Sequence, residues 1–312
     1  MARVSVHLPL NISRALAEML KEFVPRIEET HGINITVDNE FRCQTVKPAK
    51  GDNSLALEAE EASLPDMVIG HIDSFLRLPD NYLKDYFRPL PGRFPIRPEL
   101  SELGFEDPEG YFHPFAIVPF AVLYNPDLIS ESELPASWTD LLNPRWQGGI
   151  CMPDPNHMAP QVIRAYLRAN YPDKFDTFLN NSVYLGVPLN VINAVDAGQY
   201  PLGITNISFA RLTRGKNIRM LWPQDGMICM PMMMIWSKKA DDCLLEIGDY
   251  LMSRRVQEYL AMQTFVPVAS EVPVPQLLSE NNYRLLWNGW DDFRMALKAL
   301  VQTKQTDKLD PN

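Results

Sequence analysis

Short polar side chains recur in this chain at the predicted ends of strands, where backbone groups are also open to a ligand. Asp154-Pro155-Asn156-His157-Met158 follows the apolar run Ile150 to Met152 and precedes a helical stretch. The free N–H groups and positive dipole end of a helix start favour a phosphate or carboxylate there. Asn156 and His157 are therefore candidate ligand contacts, and Asp154 reads as a cap. A second group, His71, Asp73 and Ser74, follows the predicted strand Pro65 to Gly70. A ring nitrogen of His71 could meet an anionic oxygen, and Asp73 could meet an amine or hydroxyl or cap the helix from Ser74. Thr205, Asn206 and Ser208 stand at the tip of a strand read over Tyr200 to Ile204, and Asn190 precedes a short helix that ends at Ala197-Gly198. Asn11 and Ser13 follow the first strand, Val4 to Leu8, with Ser13 placed as the N-cap of the next helix. The chemistry these residue types offer is non-covalent capture by hydrogen bonds. Capping is their commoner role one at a time, so it is their convergence that makes a site.

No catalytic or metal pattern accompanies them. The chain has no GxSxG, HExxH or P-loop signature, so neither an enzyme nor a cofactor is expected. Its four cysteines, Cys43, Cys151, Cys229 and Cys243, include no pair at zinc-ligand spacing. Cys151 and Cys229 lie in apolar runs and read as buried thiols. Met227, Met230, Met232, Met233 and Met234 could suggest a soft metal site. Side chains alternate faces along a strand, so these cannot all converge, and an adaptable apolar crossing is the better reading. His7 and His113 alternate with apolar neighbours and read as satisfied core or crossing residues, while His31 reads as a solvated helix end. Trp222 and Asp225 read as packing or as the mouth of a site.

The elements that must position these groups follow from the rest of the chain. Its 312 residues suggest about two domains. A 46% hydrophobic and 22% charged content is ordinary for a globular protein. The net charge of −10 argues against nucleic-acid or anionic-membrane partners, and no apolar run reaches the roughly 20 residues of a membrane helix. A monomer is expected. Met1-Ala2-Arg3 runs straight into Val4-Ser5-Val6 without an apolar leader core. That fits a cytoplasmic protein starting at Met1, or a mature periplasmic or cell-surface form whose leader has been removed.

Leu16, Met19, Leu20, Phe23, Val24 and Ile27 recur at helical spacing, with a kink expected at Pro25 and an end at Gly32. With strands over Val4–Leu8 and Ile33–Val37 they form a β-α-β opening. Lys47 to Ala62 suggests a loop and a short helix, and Leu83 to Asp107 a proline-rich irregular path. Phe115 to Leu123 is an apolar strand broken by Pro119. Helices over Pro160–Asn170 and Pro172–Asn180, a strand over Val183–Val187 and a helix from Ile207 make a second βαβ set. Met227 to Trp236 suggests a second crossing between the two sets. Helices over Ala240–Met252 and Ser253–Met262, a loop over Phe265–Ser270 and a last helix over Tyr283–Val301 complete the chain.

Several motifs carry a resemblance. YNPDLI, LPASWTDLLNPRWQG and MPDP lie between Tyr124 and Pro155. AVDAGQYPLGITN spans 194–206, WPQDG spans 222–226, and SRRVQEYLA with TFVPV follows later. Together they resemble the extracellular solute-binding proteins of ABC transporters, with the type II periplasmic fold, and within them the group that includes ferric-iron-binding proteins. The likeness is good over 120–270 and loose over the first 110 residues. It implies an α/β fold: a two-lobed clamshell of two βαβ lobes joined by two crossing strands. Lobe one would be 1–117 plus about 232–280, lobe two 118–231 plus about 281–312, and the ligand would sit in the cleft. The implied partners are a small-molecule solute and an ABC permease.

Ferric binders of this group use a histidine in the first loop, a glutamate after the third strand and a tyrosine pair after INN. Those positions fall near Asn11, near His71, and on Ile207 and Ser208, because ITN-Ile-Ser stands where INN-Tyr-Tyr would. Fe³⁺ prefers phenolate and carboxylate oxygen. The resemblance without those ligands implies a small organic or phosphorylated solute, as in relatives that bind sugar phosphates, phosphonates, polyamines or thiamine. The alternative is a cytoplasmic enzyme or ligand sensor on the same fold.

Overall fold

The computed structural model describes residues 1–38, 64–71, 80–210, 217–281 and 283–296. The expected helix within Lys47–Ala62, the candidates Asp73 and Ser74, Cys43 and the tail from Gln302 lie outside the described residues.

Strand β1 (Ala2–His7) leads into helix α1 (Leu10–His31). Ile12, Leu16, Leu20, Val24 and Ile27 form the buried stripe of α1, the three- and four-residue spacing of an amphipathic helix. The helix begins three residues before Ser13. Pro9 is its N-cap, and the Pro9 carbonyl accepts the N–H groups of Ile12 and Ser13, both at 3.0 Å. Ser13 is thus inside the helix rather than its cap. Pro25 lies within α1 without ending it, and Gly32, at φ +66°, closes it with an N–H bond to the Glu28 carbonyl. Strands β2 (Ile35–Asp38) and β3 (Met67–Gly70) flank β1, both parallel to it.

Strand β4 (His113–Tyr124) is buried along all 12 residues, with an irregularity at Pro114/Ala116. Later strands are β5 (Ile150–Met152), β6 (Ser182–Tyr184), β7 (Leu202–Asn206), β8 (Arg219–Leu221) and β9 (Met227–Trp236). The order across the sheet is β2-β1-β3-β9-β4-β7-β5-β6. Pro119 does not break β4, and the pairing supplies a reason. His113 to Pro119 pair with β9, whereas Phe120 to Tyr124 pair with β7. A proline at a change of partner interrupts neither ladder in its middle. Strand β9 likewise divides its length, with Met233–Trp236 against β3 and Cys229–Met234 against β4. The two long strands therefore connect a parallel set, β2-β1-β3, to a second set built on β7, β5 and β6. The result is a mixed α/β fold of the two-set type expected.

Helices α2 (Met158–Asn170), α3 (Pro188–Asp196) and α4 (Ile207–Ala210) belong to the second set, and α5 (Arg254–Met262) precedes β10 (Val266–Pro267). Strand β10 pairs with β4, so the expected loop over Phe265–Ser270 includes a short strand. The irregular stretch before Asp107 contains two short helices, Asp80–Tyr86 and Pro98–Glu102. The final helix starts later than Tyr283. Leu285–Leu286 form β11 beside the first residues of β9, and helix follows over 290–296. Hydrogen bonds and ring contacts account for the delay: the Trp287 and Trp290 indoles donate to the Gly104 and Phe105 carbonyls and stack on Phe105 and Phe112, which holds this segment extended across the core. The WPQDG motif is structural at its aspartate. The Asp225 carboxylate accepts the Trp138 N–H at 3.0 Å, and the Trp138 indole donates to the Gly226 carbonyl at 2.9 Å.

Candidate functional site

A cleft of about 260 Å³ opens where helix starts and strand ends from both sets meet. Leu8 and Pro9 lie against it just before α1, Asn156 to Ala159 at the start of α2, and Pro188 at the first residue of α3. The starts of three helices therefore border one volume; at α1 and α3 they do so through Pro9 and Pro188, which carry no N–H, so the helix-start N–H groups at the cleft are those of α2. First-turn N–H groups have no partner within their own helix, and the dipoles add positive potential at the same ends.

On the β1–β3 side the wall is His71. Gly70 ends β3 at φ +116°, and a Cβ there would lie 1.9 Å from the His7 carbonyl oxygen, so glycine lets the two chains close. The His71 N–H donates to that same carbonyl at 2.8 Å, which fixes the ring at the cleft. Its Nδ1 is buried without a hydrogen-bond partner. Burial, and secondarily the neighbouring His7, lower its pKa from 6.5 to about 4, so the ring is neutral at neutral pH.

On the other side the turn before α2 is held from within. The Asp154 carboxylate accepts the Asn156 N–H at 2.9 Å, its carbonyl accepts the His157 N–H at 2.8 Å, and its own N–H donates to the Gly186 carbonyl at 2.6 Å. Asp154 closes this turn rather than capping α2, whose N-cap is His157 without a side-chain cap bond, and Asn156 and His157 line the cleft. Strand β7 delivers Thr205 and Asn206. The Asn206 side chain accepts the Phe209 N–H at 3.1 Å. Thr205 is fully buried, and its hydroxyl has no partner.

Of the residues singled out from sequence, His71, Asn156, His157, Thr205 and Asn206 line the cleft. Asn11 and Ser208 do not line it but meet each other. The Asn11 amide donates to the Ser208 hydroxyl at 2.7 Å, across 197 residues, tying the start of α1 to α4. Ser13, in the second turn of α1, lies outside the lining, as does Asn190. Asn190 is the third residue of α3 rather than the residue before a helix, because Pro188 starts that helix earlier. Polar-residue reasoning missed the apolar walls, among them Phe120, Pro153, Phe209 and Met230. Their signal was adjacency: Pro153 and Phe209 flank polar candidates, and Phe120 and Met230 lie on the two crossing strands. Among the described residues the lining includes no carboxylate, lysine, arginine or tyrosine, and no group of three His, Cys, Asp or Glu side chains could hold a metal ion.

A two-set α/β sheet joined by two long strands, with a cleft at the junction, is the architecture of type II periplasmic binding proteins. The chain belongs to the bacterial extracellular solute-binding proteins, whose family model matches residues 62–296. Among curated protein sequences none matches significantly. Solved structures resemble it over their full length. An apo ferric ion-binding protein A from Pasteurella haemolytica has a TM-score of 0.74 at 14% identity, covering 99% of this chain and 98% of its own. An ABC transporter protein from Clostridium perfringens has a TM-score of 0.66 at 18% identity, covering 97% and 98%. The Trichodesmium protein IdiA (FutA), in complex with iron and citrate, has a TM-score of 0.69 at 18% identity, covering 96% and 98%. No helix among the described residues is long and apolar enough to cross a membrane.

Proposed function

We propose that this chain captures a small organic anion in the cleft between its two strand sets and delivers it to an ABC permease, working outside the cytoplasm as the family's name implies. The observation that carries this reading is the convergence of three helix starts on one volume lined also by His71 and Thr205, each of which has a buried polar atom without a partner. Helix starts favour an anion, and a buried polar atom without a partner is costly until something pairs with it. Lobe one, 1–117 plus about 232–280, would close on lobe two, 118–231 plus about 281–312. The crossing strands β4 and β9 would flex between them.

Ferric iron fits the walls poorly. Fe³⁺ prefers carboxylate and phenolate oxygen, and the described lining offers amides, hydroxyls and imidazoles instead.

A thermal-shift screen of small anions tests the reading. A ligand at 100 times its Kd adds about 2.7 kcal/mol of stability. With the ligand in hand, Asn156→Ala and His157→Ala should each weaken binding about tenfold, roughly the 1.4 kcal/mol of one good hydrogen bond to a charged group. Unchanged affinity in both variants would remove the start of α2 from the site.

A further inference from the structure

We propose that the solute is a singly charged carboxylic acid with a compact apolar body, its carboxylate set against the start of α2 beside Thr205, and its body against Phe120, Phe209 and Met230. The inference rests on the cleft reading above and narrows it from organic anions in general to one class. Three observations bound that class.

The first is charge. Three helix N-termini supply positive potential, but the described lining carries no lysine or arginine. Each helix start is worth about half a charge, roughly +1.5 in all, which covers one carboxylate fully. A phosphate monoester at neutral pH carries about −1.5 to −2, so the end of that range would be left without a full counter-charge on the described walls. On the described walls a polyamine would meet no carboxylate, and the positive ends of the helix dipoles would repel it. His71 adds no charge, since desolvation keeps its ring neutral.

The second is the apolar wall. Phe120, Met230 and Phe209 stand with Pro153 and Pro188 around the volume. Phe120 and Met230 come from the two crossing strands and Phe209 from α4. Sugars present hydroxyls on most faces, and these side chains could not satisfy them. An aromatic or branched aliphatic body would fill the same space and gain about 25 cal/mol for each Å² of apolar surface buried.

The third is size. A cavity of about 260 Å³, filled at the packing density of a protein interior, holds on the order of ten non-hydrogen atoms. Benzoate, phenylacetate and hexanoate are of this scale. When the lobes close around such an acid, the neutral Thr205 hydroxyl and the neutral His71 ring, both buried without partners in the unliganded fold, can each complete one hydrogen bond.

The test is calorimetry and thermal shift on the full chain with a defined panel: benzoate, phenylacetate, hexanoate, benzamide, glucose 6-phosphate, spermidine and ferric citrate. The expected result is that at least one of the three monocarboxylates raises Tm and binds at least tenfold tighter than every other member, benzamide included. Thr205→Val should then weaken that acid at least fivefold. Tightest binding by the sugar phosphate, spermidine or ferric citrate overturns the proposal, and so does a panel in which no monocarboxylate binds at millimolar concentration. The two readings fail separately. If another class binds and His157→Ala weakens it, the cleft stands and the carboxylate class falls. If binding of the tightest member survives both Asn156→Ala and His157→Ala, the cleft reading falls as well.

Discussion

Gln257 and Thr205 are both buried to zero exposure, yet their polar atoms are treated in opposite ways. The Gln257 amide nitrogen donates to the carbonyls of Phe115 and Leu251, both at 2.8 Å, and its oxygen accepts the N–H groups of Val268 and Ala269. One side chain from α5 thus staples β4 to the end of β10. The Thr205 hydroxyl, at the end of β7, has nothing to bond to. Other single atoms in the core also lack partners, on Asn181, Ser237 and His113. At the cleft, two such atoms belong to residues that line one volume, Thr205 and His71. What sets the cleft apart is that two such residues line one volume, whereas Gln257 has both ends of its amide matched inside the chain.

The largest effect that could break this contrast belongs to Gln257. Replacing it with leucine keeps the volume but strands two carbonyls and two N–H groups, at about 3–5 kcal/mol for the set. Urea denaturation should show that loss, while a cleft ligand's Kd, measured well below the transition, should stay within twofold. A loss under about 1 kcal/mol would mean that water replaces the staple and that the core is not dry. Gly70→Ala comes next. At φ +116°, with the new Cβ 1.9 Å from the His7 carbonyl oxygen, backbone strain of about 3 kcal/mol is expected. Because the same contact positions His71, affinity should fall together with stability, unlike in the Gln257 variant.

Acid separates the two regions by smaller steps. His113, edge-on to Phe94 and Trp236, and His71 in the cleft both have pKa values lowered from 6.5 to about 4. Burial is the main cause in each. For His113 a bond to Gly110 opposes it, and the nearby Arg93 adds to it; for His71 the addition comes from His7. The unfolded chain binds these protons near pH 6.5 and the folded chain only near 4. Stability is therefore fully present above about pH 6.5 and falls as pH drops towards 4, by up to about 3 kcal/mol per ring. His113→Phe keeps the aromatic packing and removes one of the two protons, so the slope of stability against pH between 6.5 and 4 should shrink by about one proton. An unchanged slope would mean that His113 is already protonated in the fold.

The sequence made the strand sets legible because they are written locally. Met227–Trp236 was read with the bounds that β9 has, and the apolar period of α1 and its end at Gly32 were plain. The strand tips carrying His71, Asn156, His157, Thr205 and Asn206 were also visible, since short polar residues after an apolar run mark such ends. What failed depended on partners far along the chain. Pro119 looked like a strand breaker, because nothing local says that β4 changes neighbours there. Ser13 looks like a cap because nothing in the local residue types shows that α1 starts at the Pro9 carbonyl. Tyr283–Val301 looked like one helix, because the grip of Gly104 and Phe105 on two tryptophans is set 183 and 185 residues away. The pairing of Asn11 with Ser208, 197 residues apart, has no local signature at all.

The smallest expected change in stability is the sharpest probe of the contrast. Thr205→Val replaces a buried hydroxyl with a methyl group of nearly the same size. If the hydroxyl has no partner in the unliganded fold, nothing is lost on its removal, and the relief of a buried unpaired group should leave stability unchanged or raise it by up to about 1 kcal/mol. Ligand affinity should move the other way, by at least fivefold, because the bond reserved for the solute is gone. A stabilised protein that binds less well is the signature of a group kept for function. The opposite outcome, a loss above about 1 kcal/mol with affinity intact, would show that Thr205 is satisfied in the free protein and belongs with Gln257. His71 would then be the one partnerless atom in the described lining, and the case for a site built to receive a solute would rest on it and the three helix starts.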